Sequence, residues 1–537
     1  MGGQVCKCSR GTRGDNGDAL LPGSVGGDMV AKYFGIQSTC RDDAQVCLQM
    51  RLAFGSTKGM DANRVIPLVA RPSPFVKGMQ VYLPEDATAP APDGEATPTL
   101  GITKKGSQCQ LADSHPDLPS LMNYPAEALR GKPVIIGTVR MGFGHHRIAY
   151  SAVTWALEMG AQPYLIDILA VDSPEAVRVA QMDAAYSKMS RLSSNIGGIV
   201  DEIWTRMLLQ GGVNSLRLSC LLAEQLKPLM ADLPKDWPVI AAHPWIGQIA
   251  VACGFETVIN LVIDNYPQYF VLVPGALNLV QSPSYFSKLL NMGIPPSHLK
   301  YAGHWVSRDI AKFAAADCSA RLARIEKKLC VRILIAIGGA GAQQVYVQRF
   351  ILGIKPFLLS GRVKLFINSG DHGFMAKNLT TVFQKENIDY VLHRTQDELN
   401  SFIVQHQLDL LADPATDPMI SIFNFDTHYA AFRATDLLIR VADVLATKPS
   451  ELAFFPIPKL HLRHVGGHES FSAERSCELG DGTTECTTVE LALQHVQLMA
   501  VESSPMLLQM NKCIIENDRA HIYDGSKVAV ETAIGVA

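Results

Sequence analysis

Apolar runs without polar alternation constrain this chain most. Pro133-Val134-Ile135-Ile136-Gly137-Thr138-Val139 is one, and Tyr164-Leu165-Ile166-Asp167-Ile168, Val239-Ile240-Ala241-Ala242, residues 258–263 and Leu277-Asn278-Leu279-Val280 are others. A strand with one wet face alternates polar and apolar residues. A strand without alternation is buried on both faces, as in a parallel sheet covered by crossover helices. Between the first two runs Ile148, Ala152, Trp155, Ala156 and Met159 recur at helical spacing. The pattern restarts after Gly303: residues 331–337 feed a glycine-rich turn, and 363–367, 419–423, 441–446 and 459–462 follow as strands. The sequence therefore predicts an α/β chain with two successive Rossmann-like, doubly wound domains, each opening with a strand, a glycine turn and a helix. Ligands of such sheets sit at the carboxyl ends of the strands.

Composition agrees. The chain has 537 residues, 47% hydrophobic and 18% charged, which fills several cores and excludes global disorder. Lys plus Arg number 48 against 51 Asp plus Glu, a net charge of −3, which excludes a polybasic nucleic-acid binder. The longest apolar stretch, 258–280, is interrupted by Asp264, Asn265, Gln268 and Asn278, so it does not read as a membrane-spanning helix. The 12 cysteines form no Cys-x-x-Cys pair and read as reduced thiols of a cytoplasmic or cytosol-facing protein. The start, Met1-Gly2-Gly3-Gln4-Val5-Cys6-Lys7-Cys8, lacks an apolar leader. Gly2 is placed for myristoylation and Cys6 or Cys8 for palmitoylation; an unmodified end is the plainer alternative. Residues 1–124 read as an N-terminal extension with a Pro/Ala/Thr-rich linker over 84–98, and carry no assignable chemistry. The expected domains are 125–310 and 311–515, with a tail, 516–537, returning to the first.

Three constellations carry chemistry. The first is Gly142-Phe143-Gly144-His145-His146-Arg147. Glycines let amides approach a ligand, a helix N-terminus adds partial positive charge, and an imidazole placed there can take a proton from a hydroxyl. Capping or packing is the alternative for His145. The second is Gly338-Gly339-Ala340-Gly341, which can cradle a diphosphate or simply turn a strand into a helix. The third is Thr447-Lys448-Pro449-Ser450-Glu451 with Gly466-Gly467-His468-Glu469. Carboxylates in such turns can bind paired sugar hydroxyls, or cap helices.

In order and spacing these segments resemble the GT-B glycosyltransferases that glycosylate lipids, namely the monogalactosyldiacylglycerol and diglucosyldiacylglycerol synthases and the lipid II-forming N-acetylglucosaminyltransferase. The family's Gly-x-Gly-His-x-x-x-Ala is met by Gly142, Gly144, His145 and Ala149. Its His-Pro resembles His243-Pro244, and its Thr-Asp strand end resembles Ile263-Asp264. Its Ala-Asp-x-x-x-Thr-Lys-Pro is met over 442–449, and its Pro-Gly-Gln-Glu-x-x-Asn-Ala resembles residues 466–473. The chain departs where Ser450 and Glu451 replace glycines, where His468 replaces Gln, and where Gly303-His304-Trp305 replaces Gly-x-Pro.

The resemblance implies two facing Rossmann-like domains and an inverting transfer of a hexose from a UDP-sugar to an acceptor hydroxyl, such as that of a lipid. It gives His145 the role of base, leaving His146 as its neighbouring alternative. It gives substrate contacts to Gly142, Gly144, His146, Asp264, Gly338, Gly339, Gly341, Lys448, Glu451, Gly467, His468 and Glu469. It implies no metal and no cofactor, and a nucleotide-sugar partner. Family members often dock a membrane through the first domain; residues 196–233 are the candidate stretch for that here, and an ordinary core helix pair is the plainer reading of them. A non-catalytic GT-B-fold binding or scaffold protein and a nucleotide-sugar epimerase are the alternatives.

Overall fold

The computed structural model describes residues 28–36, 60–73, 76–85, 131–140, 144–182, 212–337, 343–371, 373–408, 418–500 and 505–536. Gly142, Gly338, Gly339 and Gly341 lie outside them, as does the side chain of Glu451. Cys220, Cys253, Cys318, Cys330, Cys477, Cys486 and Cys513 are free thiols. Among the described residues no helix is long and apolar enough to cross a membrane.

Two sheets organise the chain. The first is built from β1 (Leu68–Pro72), β2 (Gln80–Pro84), β3 (Pro133–Thr138), β4 (Gln162–Asp167), β5 (Val239–Ala241), β6 (Val258–Leu261), β7 (Leu277–Val280) and β8 (Leu299–Tyr301). Their order is β1-β2-β4-β3-β5-β6-β7-β8. Every neighbouring pair is parallel except β1 with β2. The second contains β9 (Val331–Ala336), β10 (Val363–Asn368), β11 (Tyr390–His393), β12 (Ile420–Phe423), β13 (Val444–Thr447) and β14 (Lys459–His461), all parallel, in the order β11-β12-β10-β9-β13-β14. Both orders turn back on the first strand of their Rossmann unit, β3 and β9. A crevice therefore opens at the carboxyl ends between β3 and β5, and between β9 and β13.

The apolar runs are buried as the lack of alternation requires. All residues of β5, β6, β12 and β13 are buried. Two asparagines of the run 258–280, Asn260 and Asn278, pair with each other inside the sheet. Asn260 Nδ2 donates to Asn278 Oδ1 at 2.9 Å and to the Val271 carbonyl at 2.9 Å. This satisfies the Asn260 NH2 group and the Asn278 oxygen, whose burial unpaired would be costly, while Asn260 Oδ1 is buried without a partner.

The carboxyl edges of the two sheets face each other. Tyr266, after β6, meets Phe471, after β14, with ring centroids 4.8 Å apart. His146, after β3, stacks on His428, after β12, at 5.2 Å and 22°. One apolar cluster runs from Ile136 and Ile148 through Trp305 and Val306 to Leu437 and Phe423, so both domains share a core. This is the GT-B arrangement of two facing Rossmann-like domains.

Two chain crossings join the domains, backbone against backbone. The His304 N–H donates to the Ile522 carbonyl at 2.6 Å. Gly303 sits at φ +96°, and a Cβ there would lie 2.6 Å from the Ile522 oxygen. Only glycine accepts both the dihedral and the approach. The last helix, Gly525–Ile534, then packs on the helix Gly144–Glu158 of the first domain, where Ser526 Oγ meets Ser151 Oγ at 2.7 Å. Lys132 Nζ donates to the Ile534 carbonyl at 2.7 Å.

Residues 212–233 are the described part of the stretch read as a membrane-docking surface. In the helix Val213–Gln225, Leu216 is fully buried and Arg217 is tied to Asp28 at 2.6 Å. This part packs against the helix Met29–Phe34, in the core formed by Val30, Phe34 and Leu216.

Candidate functional site

The helix Gly144–Glu158 begins at the crevice of the first sheet and places three consecutive side chains differently. His145 is half-buried, and its Nδ1 lies 2.6 Å from the Ala242 carbonyl at the end of β5. A carbonyl oxygen only accepts, so Nδ1 carries a proton, and in the neutral ring the lone pair is on Nε2. The ring stands edge-on to His243 at 4.4 Å.

His243 caps the helix Pro244–Ala252, its Nδ1 accepting the Trp245 N–H at 3.1 Å. Burial, then the neighbouring His145, hold its pKa well below the usual imidazole value. It is therefore neutral near pH 7, with its proton on Nε2. Side by side at the switch point sit one imidazole nitrogen that accepts and one that donates. The family resemblance pointed to His243-Pro244 without giving it a role; its bonds supply one.

His146 turns into the domain interface. It is buried, stacks on His428, and its Nε2 lies 3.4 Å from Asp167 Oδ2 at the end of β4. Burial alone would raise the Asp167 pKa. The hydrogen bond and charge of His146, with Arg140, instead hold it below the usual carboxylate range. Thr138 Oγ1 is buried at the end of β3 without a hydrogen-bond partner. Arg147 crosses to the second domain, pairs with Asp436 and lies over the rings of Phe432 and Phe455 at 5.1 and 5.5 Å.

Burial pushes the His428 pKa down to about 3, aided by His146 and Arg140, and burial does the same to His461. An unfolded imidazole titrates near 6.5. Between those values the unfolded chain binds more protons than the folded one. These rings thus contribute stability in full above pH 6.5, and it drains away as pH falls toward about 3. His428→Phe keeps a ring on His146 but cannot take a proton. Urea unfolding from pH 7 to 4 should give a stability slope shallower than that of the unaltered protein, by up to about 1.4 kcal/mol per pH unit. An unchanged slope would show that His428 titrates alike in both states.

On the second sheet, the chain leaves β13 through Thr447 and Lys448 and forms a short turn over Glu451–Phe454. After β14, Gly467–Glu469 forms another turn before the helix Ser470–Leu479. The Glu469 carboxylate pairs with Lys448 and accepts the Val465 N–H at 2.8 Å. Burial would raise its pKa, but the charges of Lys448 and His468 hold it low. The His468 ring lies over Gly466, where a Cβ would come within 2.6 Å of it.

A cavity of about 30 Å³ opens at the ends of β9, β10 and β13, lined by Ile337, Asn368, Gly370, Thr435, Thr447, Lys448 and Ser450, with Arg147 from the first domain also in its lining. Gln343, which caps the helix Gln344–Gly353, donates to the carbonyls of Arg463 and His464, the latter at 2.7 Å. The start of the helix after β9 is thus tied to the chain that leaves β14.

Of the sequence-predicted residues, Gly144, His145, His146 and Asp264 fall on the carboxyl edge of the first sheet. Asp264, half-buried, accepts from Gln268 at 3.4 Å. Lys448, Gly467, His468 and Glu469 fall on the facing edge of the second. Sequence reasoning missed Arg147, Asp167, His428 and Asp436. Asp167 ends a predicted strand, which was the available signal.

Residues 104–289 match a family described as a domain of unknown function, DUF6937, and residues 294–534 match another, DUF6938. The boundary between them falls next to the glycine at 293, after the helix Pro283–Asn291. No curated protein matches the chain by sequence. Similar solved structures include a UDP-GlcNAc 2-epimerase from Neisseria meningitidis bound to UDP-GlcNAc, at 13% identity and TM-score 0.41, covering 75% of this chain and 100% of that one. An α,α-trehalose 6-phosphate synthase from Burkholderia multivorans is 12% identical, with TM-score 0.39 and coverage of 76% and 98%. HepE from Anabaena with UDP and glucose is 10% identical, with TM-score 0.37 and coverage of 75% and 98%. The fold assignment stands on strand order and direction.

Proposed function

We propose that this protein is an inverting hexosyltransferase that moves a hexose from a UDP-sugar to an acceptor hydroxyl. The observation that carries this reading is the fixed tautomer of His145, whose Nδ1 is held by the Ala242 carbonyl at 2.6 Å at the crevice of the first sheet. In the proposed reaction the acceptor hydroxyl gives its proton to His145 Nε2 as its oxygen bonds to the anomeric carbon. The bond from that carbon to the diphosphate oxygen breaks, and the electron pair leaves with the diphosphate. Attack from the face opposite the leaving group inverts the configuration. The Nε2–H of His243 is available to hold the acceptor oxygen.

The donor belongs on the second domain in this reading, with its diphosphate toward the cavity that Lys448 and Arg147 line. A lipid hydroxyl is the proposed acceptor class. A thermal-shift comparison of nucleoside diphosphate sugars tests the donor, because a ligand of the native state raises stability as RT ln(1 + [L]/Kd). A UDP-hexose should raise Tm more than uridine does. Release of UDP should then follow addition of a soluble or vesicle-borne hydroxyl acceptor. No shift with any UDP-sugar would reject the reading.

A non-catalytic binder is the second reading. The Lys448–Glu469 pair favours it, because each group occupies the other where sugar hydroxyls would be held. A Tm shift without UDP release from any acceptor would select it.

A further inference from the structure

The cavity on the second sheet is completed by a residue of the first domain, and both of its cations already carry carboxylate partners. Arg147 pairs with Asp436, whose other oxygen accepts from Ser307 Oγ at 3.0 Å; Lys448 pairs with Glu469. The Arg147 guanidinium also lies over the rings of Phe432 and Phe455. The cavity, about 30 Å³, has Arg147 and Lys448 in its lining. Arg147 and Asp436 stand on opposite domains, so the pair beside the cavity spans the cleft.

We propose that this cavity is a diphosphate site completed across the cleft by Arg147, and that Asp436 is the internal anion a diphosphate ligand displaces. Binding there is an exchange of counter-ions. The guanidinium leaves one carboxylate and meets phosphate oxygens with the same paired geometry. The carboxylate thus holds the two domains together while the site is empty, and it competes with the ligand. This deepens the nucleotide-sugar reading and rests on it for the identity of the nucleotide, though free pyrophosphate offers the same chemistry.

Asp436→Asn tests the exchange, because the amide keeps the shape and an acceptor oxygen but not the charge. Calorimetric titration of the full chain at constant ionic strength uses UDP, pyrophosphate and uridine as probes. Asp436→Asn should bind UDP and pyrophosphate about tenfold more tightly, a coupling of ordinary size between two groups. Arg147→Gln should bind both about tenfold more weakly, with Arg147→Lys between it and the unaltered protein. Uridine should bind all four proteins alike. A residue that only braced the domains would not give tighter binding when its carboxylate is neutralised.

Should Asp436→Asn fail to fold, the Lys and Gln variants of Arg147 decide. Equal UDP affinity in all variants overturns the exchange and leaves the nucleotide-sugar reading standing. Pyrophosphate binding with the expected variant pattern, but no binding of UDP, keeps the anion site and removes that reading. No binding of either anion overturns both.

Discussion

His145→Ala will lower UDP-hexose turnover by roughly 10²–10⁴-fold, the range in which a positioned general base contributes. UDP affinity will stay largely unchanged. The split follows from the layout. His145 stands at the crevice between β3 and β5, held at 2.6 Å by the Ala242 carbonyl. The proposed donor contacts gather at the edge of the other sheet, where Lys448 stands and which Arg147 reaches from the helix that carries His145. Removing the ring therefore takes away the proton acceptor and none of the groups that meet the diphosphate.

His243 makes the complementary control. His243→Asn retains a side-chain oxygen for the Trp245 N–H, since Asn is a good helix cap, but shortens the donor. It should raise the acceptor KM more than it lowers kcat. Steady-state turnover and UDP calorimetry on the same preparations separate the two effects. Loss of UDP affinity in His145→Ala equal to its loss of turnover would contradict the assigned role.

The strands were legible because burial on both faces leaves a continuous apolar run. Residues 331–336, 363–368 and 277–280 form strands where those runs lie. β8 and β11 were not legible, because they are short edge strands: Leu-Lys-Tyr and Tyr-Val-Leu-His have too few apolar residues to stand out. The run 441–446 becomes a strand only from Val444. The preceding helix ends there, with the Val441 and Ala442 N–H groups bonding back to Leu438, and Asp443 is drawn to Arg324 and the Arg332 N–H.

The site divides in the same way. His145 was legible because a glycine turn followed by histidine is a local pattern. Its tautomer was not, since the carbonyl that fixes it lies 97 residues away in sequence. Arg147 and Asp436 are 289 apart and belong to different domains, so only the folded arrangement brings them together. Lys448 and Glu469 were both read as substrate contacts, yet no sequence spacing announces that they pair with each other.

Lys459→Met should be the most damaging single change to stability away from the cleft. Lys459 opens β14, and its Nζ lies 2.8 Å from Asp481 Oδ1, both side chains being 0% exposed. Nζ also donates to the Phe455 carbonyl at 2.9 Å, and Tyr523 donates to the other Asp481 oxygen at 3.1 Å. Burial pushes the lysine pKa down and the carboxyl pKa up, so each charge persists only because the other is present. Removing one leaves a buried charge unpaired, which costs about 3–5 kcal/mol. Lys459→Met and Asp481→Leu together remove both charges and should cost far less than either alone. A buried ion pair typically repays its own desolvation only narrowly. Urea unfolding of the two single variants and the double variant closes a cycle whose coupling should be large and favourable. The pair lies at the start of β14, away from the carboxyl edges, so UDP affinity below the melting temperature should not change. Single variants costing less than about 1 kcal/mol would mean that water or proton transfer already relieves the pair in the folded protein.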